Sequence, residues 1–286
     1  MTCTVDDALR DARAQGLERL DAHLLLAHVL RQSRAWLLAH GDDLLAAQAA
    51  TAYAALVARR AAGEPFAYLV GEREFHGLTL AVSEAVLVPR PDTETLVDWA
   101  LELLDGPLRD RARPRVMDLG TGSGAIALAL KAACPRAEVH AVERSEAALA
   151  VARDNARRLG LEVRFAQGDW WQALDGETDT PTFDLVVSNP PYIAADDPHL
   201  ARLGHEPISA LVAAEDGLSD LITITQYAPP RMKAGGWLLF EHGWTQAAAV
   251  QVLLAREGFV ALETRTDIEG RPRCSGGRLD APGKVG

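Results

Sequence analysis

The five residues richest in chemistry are Ser188-Asn189-Pro190-Pro191-Tyr192. Pro190 fixes its own φ and pushes Asn189 out of the α region, and Pro191 does the same to Pro190, so the segment is stiff and extended. Prolines also lack an N–H, so carbonyls here are less readily consumed by local turns and can face a bound molecule. The group this suits is a planar NH2, on an amide or an aromatic amine. Its lone pair is delocalised, and it is a poor nucleophile until that pair is held facing an electrophile. The side-chain oxygen of Asn189 and the backbone carbonyl of Pro190 can each accept one N–H, while Tyr192 can pack on the flat face. Positioning of this kind contributes on the order of 7–11 kcal/mol to a group transfer and requires neither a metal nor a covalent intermediate. A rigid surface turn and a proline-rich ligand for an adaptor domain are the alternatives. The apolar run FDLVVSN (183–189) leading into the segment argues against both.

A second constellation is Asp118-Leu119-Gly120-Thr121-Gly122-Ser123-Gly124, which follows an apolar run and enters an alanine-rich stretch. Glycines at such a turn give access to φ > 0 and let the backbone approach a ligand, and the helix beyond offers unpaired N–H groups. By itself the turn would serve a dinucleotide, a phosphate or S-adenosylmethionine, or be purely structural. Asp118 sharpens the choice, because a carboxylate there could face an ammonium group and would repel a pyrophosphate. Glu143 closes the next apolar run, at the distance where an acidic side chain receives ribose hydroxyls. Asp169-Trp170 closes the one after, where the carboxylate can accept from an adenine amino group and the indole can cover the ring. Together these residues favour S-adenosylmethionine over a nicotinamide dinucleotide.

Both constellations need strand ends gathered at one edge of a sheet, and the chain supplies them. From about residue 92, apolar runs at 115–120, 138–143, 163–169, 183–189 and 236–243 alternate with stretches of helical character, the pattern of βαβ units and a parallel sheet. Runs at 258–267 and 271–279 follow one another without room for a helix and should pair as an antiparallel hairpin at one end. The fold expected is Rossmann-like α/β, a seven-stranded and mostly parallel sheet, preceded by a small helical bundle. Residues 1–62 read as helical throughout. Thr4 with Asp7 resembles a capping box, and Ala49, Ala52, Tyr53, Leu56 and Val57 form a helical stripe. Gly63-Glu64-Pro65 ends that region. Leu78 to Val82 and Val86 to Val88 then flank Ser83-Glu84 as a β-hairpin. The expected division is a helical substrate-recognition domain over 1–72, a hairpin linker over 73–91 and a catalytic domain over 92–286.

Composition narrows the class further. Three cysteines, Cys3, Cys134 and Cys274, are too scattered for a disulfide framework or a CxxC site, and the histidines show no metal-ligand spacing, so no metal is expected. No apolar run reaches a membrane span, and the acidic N-terminus does not look like a signal peptide, so a cytoplasmic protein is expected. The net charge of −11 argues against a protein that tracks nucleic acid, and the one basic run, Arg109 to Arg115, reads as a solvated connection.

The sequence resembles the protein-(glutamine-N5) methyltransferases that modify the Gly-Gly-Gln tip of class I peptide chain release factors. The resemblance spans nearly the whole chain. It is carried by REFHGL (73–78), VPRPDTE (88–94), DLGTGSGAIALAL (118–130), GDW (168–170), SNPPYI (188–193), DPHL (197–200), HEPISALVAAEDGL (205–218) and EHG (241–243), with VPRPDTE and HEPISAL the discriminating segments. The resemblance implies a class I methyltransferase domain with S-adenosyl-L-methionine as cofactor. It places Gly120 to Gly124, Glu143 and Trp170 on the cofactor and Asn189 to Tyr192 on the glutamine amide. A release factor is the partner implied, with no nucleic acid or membrane, and a monomer is expected. Two departures stand out: Glu143 replaces the family's usual Asp, and the last strand, RCSGGR, is richer in glycine and loses side chains to pack. An adenine-N6 DNA or guanine-N2 RNA methyltransferase presents the same planar NH2 problem and is the nearest rival. A non-catalytic nucleotide-binding protein is the rival from another class, and it leaves the Asn-Pro-Pro-Tyr segment unexplained.

Overall fold

The computed structural model describes residues 3–175 and 182–280. Residues 1–2 and 281–286, at the outer ends of the expected domains, lie outside the described residues. The chain divides into two compact units, Met1–Glu72 and Arg73–Gly286. Residues 73–91, expected to be a linker, fall within the second.

The first unit holds α1 (Val5–Ala14), α2 (Arg19–Leu30), α3 (Arg34–Ala39), α4 (Ala47–Ala61) and α5 (Phe66–Val70). The region expected to be helical throughout is therefore interrupted, for example where Arg31 closes α2 in the left-handed region at φ 53°. At the start of α1 the Thr4 hydroxyl accepts from Asp7 N–H and the Asp7 carboxylate accepts from Thr4 N–H, a complete capping box. The core gathers Val5, Leu9, Leu25, Leu26, Leu37, Tyr53 and Val57. Burying each of the larger side chains contributes roughly 1.5–3 kcal/mol. Of the expected α4 stripe, Tyr53 and Val57 are buried and Ala52 is exposed. The Tyr53 hydroxyl donates to Ala22 O at 3.0 Å, satisfying its one polar atom inside that core.

The second unit opens with β1 (Glu72–Phe75) and β2 (Leu78–Ala81). The hairpin turn is His76-Gly77, both residues at positive φ (47° and 77°) as a tight two-residue turn demands, and not Ser83-Glu84. Val86 and Val88 are buried but belong to no strand, and their burial is what gave them the look of one.

The main sheet comprises β3 (Arg115–Leu119), β4 (Glu138–Glu143), β5 (Arg164–Gln167), β6 (Phe183–Ser188), β7 (Met232–Glu241), β8 (Phe259–Thr266) and β9 (Pro272–Leu279), in the order β5-β4-β3-β6-β7-β9-β8. Every pairing from β5 to β7 is parallel, and β9 runs antiparallel to both its neighbours. The connections include α6 (Glu94–Asp105) before β3, α7 (Ala125–Ala133), α8 (Glu146–Leu159), the single turn α9 (Ala214–Gly217), α10 (Ser219–Tyr227) and α11 (Ala247–Arg256). One buried cluster joins α6 and α7 to the sheet through Leu96, Trp99, Leu128, Val116 and Leu239. The other joins α10 and α11 through Leu221, Ile224, Val250, Met117 and Phe240. Alternate residues of β3 thus enter opposite layers, as a sheet covered on both faces requires.

The glycine-rich β9 is fully incorporated, because close packing accounts for its glycines. A Cβ on Gly276 would lie 2.4 Å from Leu239 Cδ2 and 2.7 Å from Leu238 O. The strand order reverses between β3 and β6, and in an open parallel sheet ligands bind beyond the carboxyl ends at that point. Leu119 pairs with Ser188 in register, and Ser188 Oγ donates to Leu119 O at 2.6 Å. Gly120 and Asn189 therefore leave the sheet side by side.

Candidate active site

A cavity of about 350 Å³ opens at this edge, a size typical of small-molecule sites. Its wall includes Gly120, Thr121, Gly122, Ser123, Glu143, Asp169, Trp170, Asn189 and Pro191 of the sequence candidates. Asp118, Gly124, Pro190 and Tyr192 do not line it.

The glycine turn is fixed by nearby backbone. Gly120 and Thr121 both donate to Val142 O, at 2.9 and 3.0 Å. Glu143 Oε2 accepts from Gly122 N–H and Oε1 from Ser145 N–H, each at 2.9 Å, so the carboxylate is locked at the end of β4 with lone pairs to spare. Gly120 sits at φ 76°, and a Cβ there would come within 3.0 Å of the Trp170 ring. The indole thus lies directly against the turn, near the half-buried carboxylate of Asp220, whose pKa is raised mainly by burial and lowered by the neighbouring indole. Asp169 is exposed beside Arg144, at 3.4 Å.

Asp118 departs from expectation. It is fully buried beneath the turn, where Oδ2 accepts from Thr121 Oγ1 at 2.6 Å and from Ala127 N–H at 3.1 Å. The carboxylate serves an unpaired N–H in the first turn of α7 and does not reach the cavity, and burial pushes its pKa up to about 7. Gly124 begins α7 behind the wall.

The Asn-Pro-Pro-Tyr segment is held by remote side chains. Asn189 Nδ2 donates to Thr93 Oγ1 at 3.2 Å, and among the described residues nothing donates to Asn189 Oδ1 or to the Pro190 carbonyl. Tyr192, expected on the flat face of a bound amide, instead stands behind the loop with its hydroxyl donating to Glu241 Oε1 at 3.1 Å. Burial raises the pKa of both groups, and Arg273 opposes the rise. The Gln246 carboxamide joins three loops, donating to Tyr192 O (3.1 Å) and Asp216 O (3.2 Å) and accepting from Gly243 N–H (2.8 Å). Gly217 presses so closely on Tyr192 O that a Cβ would lie 2.2 Å from it.

Several contributors carry no recognisable motif chemistry. Glu206 accepts from Val88 N–H at 3.0 Å and pairs with Arg90, joining VPRPDTE to HEPISAL across the cavity mouth. Buried Asn155 of α8 donates to Ala81 O and Ser123 O and accepts from Ala81 N–H, tying the hairpin to the glycine turn. The discriminating segments were visible in sequence, but their partnership was not.

A cleft at the reversal of this sheet order, walled by a glycine turn and acidic strand ends, defines a class I methyltransferase fold. The catalytic domain of hMettl16, in complex with a MAT2A 3'UTR hairpin, superposes with a TM-score of 0.57 at 14% identity, covering 86% of each chain. A Thermus thermophilus 16S rRNA N2 G1207 methyltransferase, in complex with AdoMet and guanosine, superposes with a TM-score of 0.51 at 21% identity, covering 72% of this chain and 49% of that one. Residues 6–71 match the family described as PrmC N-terminal domain, and residues 93–209 match the methyltransferase small domain. The chain is 51% identical to the release factor glutamine methyltransferase of Bordetella pertussis, covering 95% of this chain and 99% of that one. It is 41% identical to that of Escherichia coli K12, covering 95% and 96%. The chain belongs to the release factor glutamine methyltransferase family.

Proposed function

We propose that this protein transfers a methyl group from S-adenosyl-L-methionine to the side-chain amide nitrogen of the glutamine in the Gly-Gly-Gln motif of class I peptide chain release factors. The observation that carries this is Asn189, which lines the cavity beside the glycine turn with no donor to its Oδ1 among the described residues, followed in the chain by the equally unengaged Pro190 carbonyl. The cavity's acceptors suit the cofactor: Glu143 keeps lone pairs for ribose hydroxyls, and Glu143 and Asp220 add negative charge that a pyrophosphate would meet unfavourably, while the lining cations Arg90 and Arg144 are paired with Glu206 and Asp169. When bound, the cofactor supplies an electrophilic methyl on a sulfonium. The acceptors hold the two amide hydrogens so that the nitrogen lone pair faces that methyl, and the turn at Gly120 with Trp170 fixes the other reactant. Incubating the protein with labelled cofactor and release factor, and separately with DNA, tests the proposal. Labelling confined to the glutamine of release factor is expected, and label entering DNA alone would reject it.

Few contacts at a tripeptide tip cannot select one protein among many, so residues 1–72 are proposed to dock on the body of the release factor. Phe75 and Leu80 are buried in the catalytic core, so a cut meant to remove only the helical unit belongs after Glu72. The truncated protein is expected to bind cofactor normally. Its KM for intact release factor should rise at least about tenfold, with much less change for a Gly-Gly-Gln peptide, the loss of a second linked contact. A folded truncation with unchanged KM would remove the helical unit from recognition.

A further inference from the structure

A carboxamide has a donor end and an acceptor end of nearly the same shape, and the proposed chemistry needs the acceptor end of Asn189 in the cavity. Something must set that orientation. The end facing inward meets Thr93 Oγ1, and a hydroxyl can either donate to an amide oxygen or accept from an amide nitrogen. Which it does depends on where its single hydrogen goes. Beside Thr93, at the end of β7, lies the carboxylate of Glu241, 1% exposed. Its Oε1 accepts from the Tyr192 hydroxyl; its Oε2 has no hydrogen-bond partner among the described residues, and the Thr93 hydroxyl lies near enough to the carboxylate to favour its ionised form. The neighbouring cation, Arg273, divides itself between Asp267 at 3.2 Å and Asp92 at 3.5 Å.

We propose that Glu241 and Thr93 are positioning residues that set the direction of the Asn189 amide. Burial raises the Glu241 pKa, while the Thr93 hydroxyl, Arg273 and the Tyr192 hydroxyl oppose that rise; held as a carboxylate by these groups it only accepts, so it draws the Thr93 hydrogen to itself. Thr93 is left with a lone pair for Asn189, which turns the amide nitrogen inward and the amide oxygen toward the substrate. A buried and incompletely paired carboxylate costs stability. Its retention behind the loop is explained if the acceptor character is what the site uses. The inference rests on Asn189 being the substrate acceptor.

The test compares five variants of the full chain: Thr93→Val, Thr93→Ser, Glu241→Gln, the double variant of Thr93→Val with Glu241→Gln, and Asn189→Ala. Thr93→Val keeps the branched shape and loses the hydroxyl, so kcat should fall at least about tenfold while KM for release factor and cofactor Kd stay within about twofold. Thr93→Ser should restore kcat to within about threefold, since the hydroxyl is what matters. In Glu241→Gln the oxygen can still accept from Tyr192, but the new NH2 donates to Thr93, reverses the relay and should lower kcat as Thr93→Val does. The double variant Thr93→Val/Glu241→Gln should lose little more than either single one, because both act through one amide. Thermal unfolding on each variant separates positioning from damage to the fold. Asn189→Ala inactive while Thr93→Val and Glu241→Gln keep normal kcat overturns the inference and leaves the assignment of Asn189 standing. Asn189→Ala with normal turnover overturns both.

Discussion

The two sides of the cavity are built differently. On the cofactor side, the glycine turn and Glu143 are fixed by backbone groups of their own or the adjacent strand end: Val142 O, Gly122 N–H and Ser145 N–H. On the acceptor side, Asn189 and Tyr192 depend on side chains from Thr93, Glu241 and Gln246, distant along the chain. The first arrangement follows from the topology of any parallel sheet with this turn. The second is assembled from separate loops and can be disturbed from each of them. If the proposed roles hold, the cofactor side is generic to the fold and the acceptor side is where the substrate is specified.

The sharpest test of this division is Asn189→Ala. It should lower kcat by at least about a hundredfold, the scale seen when one preorganised hydrogen-bonding group is removed from a reacting centre. Cofactor affinity by calorimetry should change little. A matching loss of cofactor affinity would show that the two sides are not separable. Glu143→Ala is the complementary case. Loss of a charge-assisted acceptor is worth roughly 1.5–3 kcal/mol, so cofactor Kd should rise at least about tenfold. Turnover at saturating cofactor should be nearly preserved, and unchanged Kd would reject a cofactor role for Glu143.

Gly120→Ala probes the turn more gently. The substitution places a Cβ at φ 76° and 3.0 Å from the Trp170 ring. Strain of about 1–3 kcal/mol is expected, divided between a lower Tm and weaker cofactor binding. No change in either would mean that the indole gives way freely. Asp118 acts on stability alone. Its pKa is raised to about 7 in the folded protein, so its contribution to stability is fully present below the unfolded value near 4 and is lost as pH rises through 7. Without cofactor, the Tm of Asp118→Asn should therefore gain on the parent between pH 4 and 7. Parallel Tm curves would place the Asp118 titration elsewhere.

The same division governed what could be read from the sequence. Gly120, Glu143, Trp170 and Asn189 sit at strand ends, and a strand end needs only local pattern to be found. Thr93, Glu241, Gln246 and Asn155 each reach at least one partner 32 or more residues away, and nothing local marks them. Asp118 was misplaced for a different reason: its neighbours fix its position along β3 but not which group claims its carboxylate, and the first turn of α7 does. The hairpin was misread because Val86 and Val88 are buried without strand pairing, and apolar spacing does not distinguish the two.

Gly276 bears on how losses of function in this protein should be interpreted. It lies on β9, away from the cavity wall, yet with Leu239 Cδ2 and Leu238 O so near, any side chain displaces the sheet. A survey of random substitutions would find this position as intolerant as Asn189. The two intolerances are expected to differ in kind, because substituting Gly276 should deplete the folded protein and substituting Asn189 should silence protein that is still abundant. Activity counted per cell would merge them, and activity counted per folded molecule keeps them apart. A strand that its composition marks as expendable is therefore among the least replaceable parts of the chain.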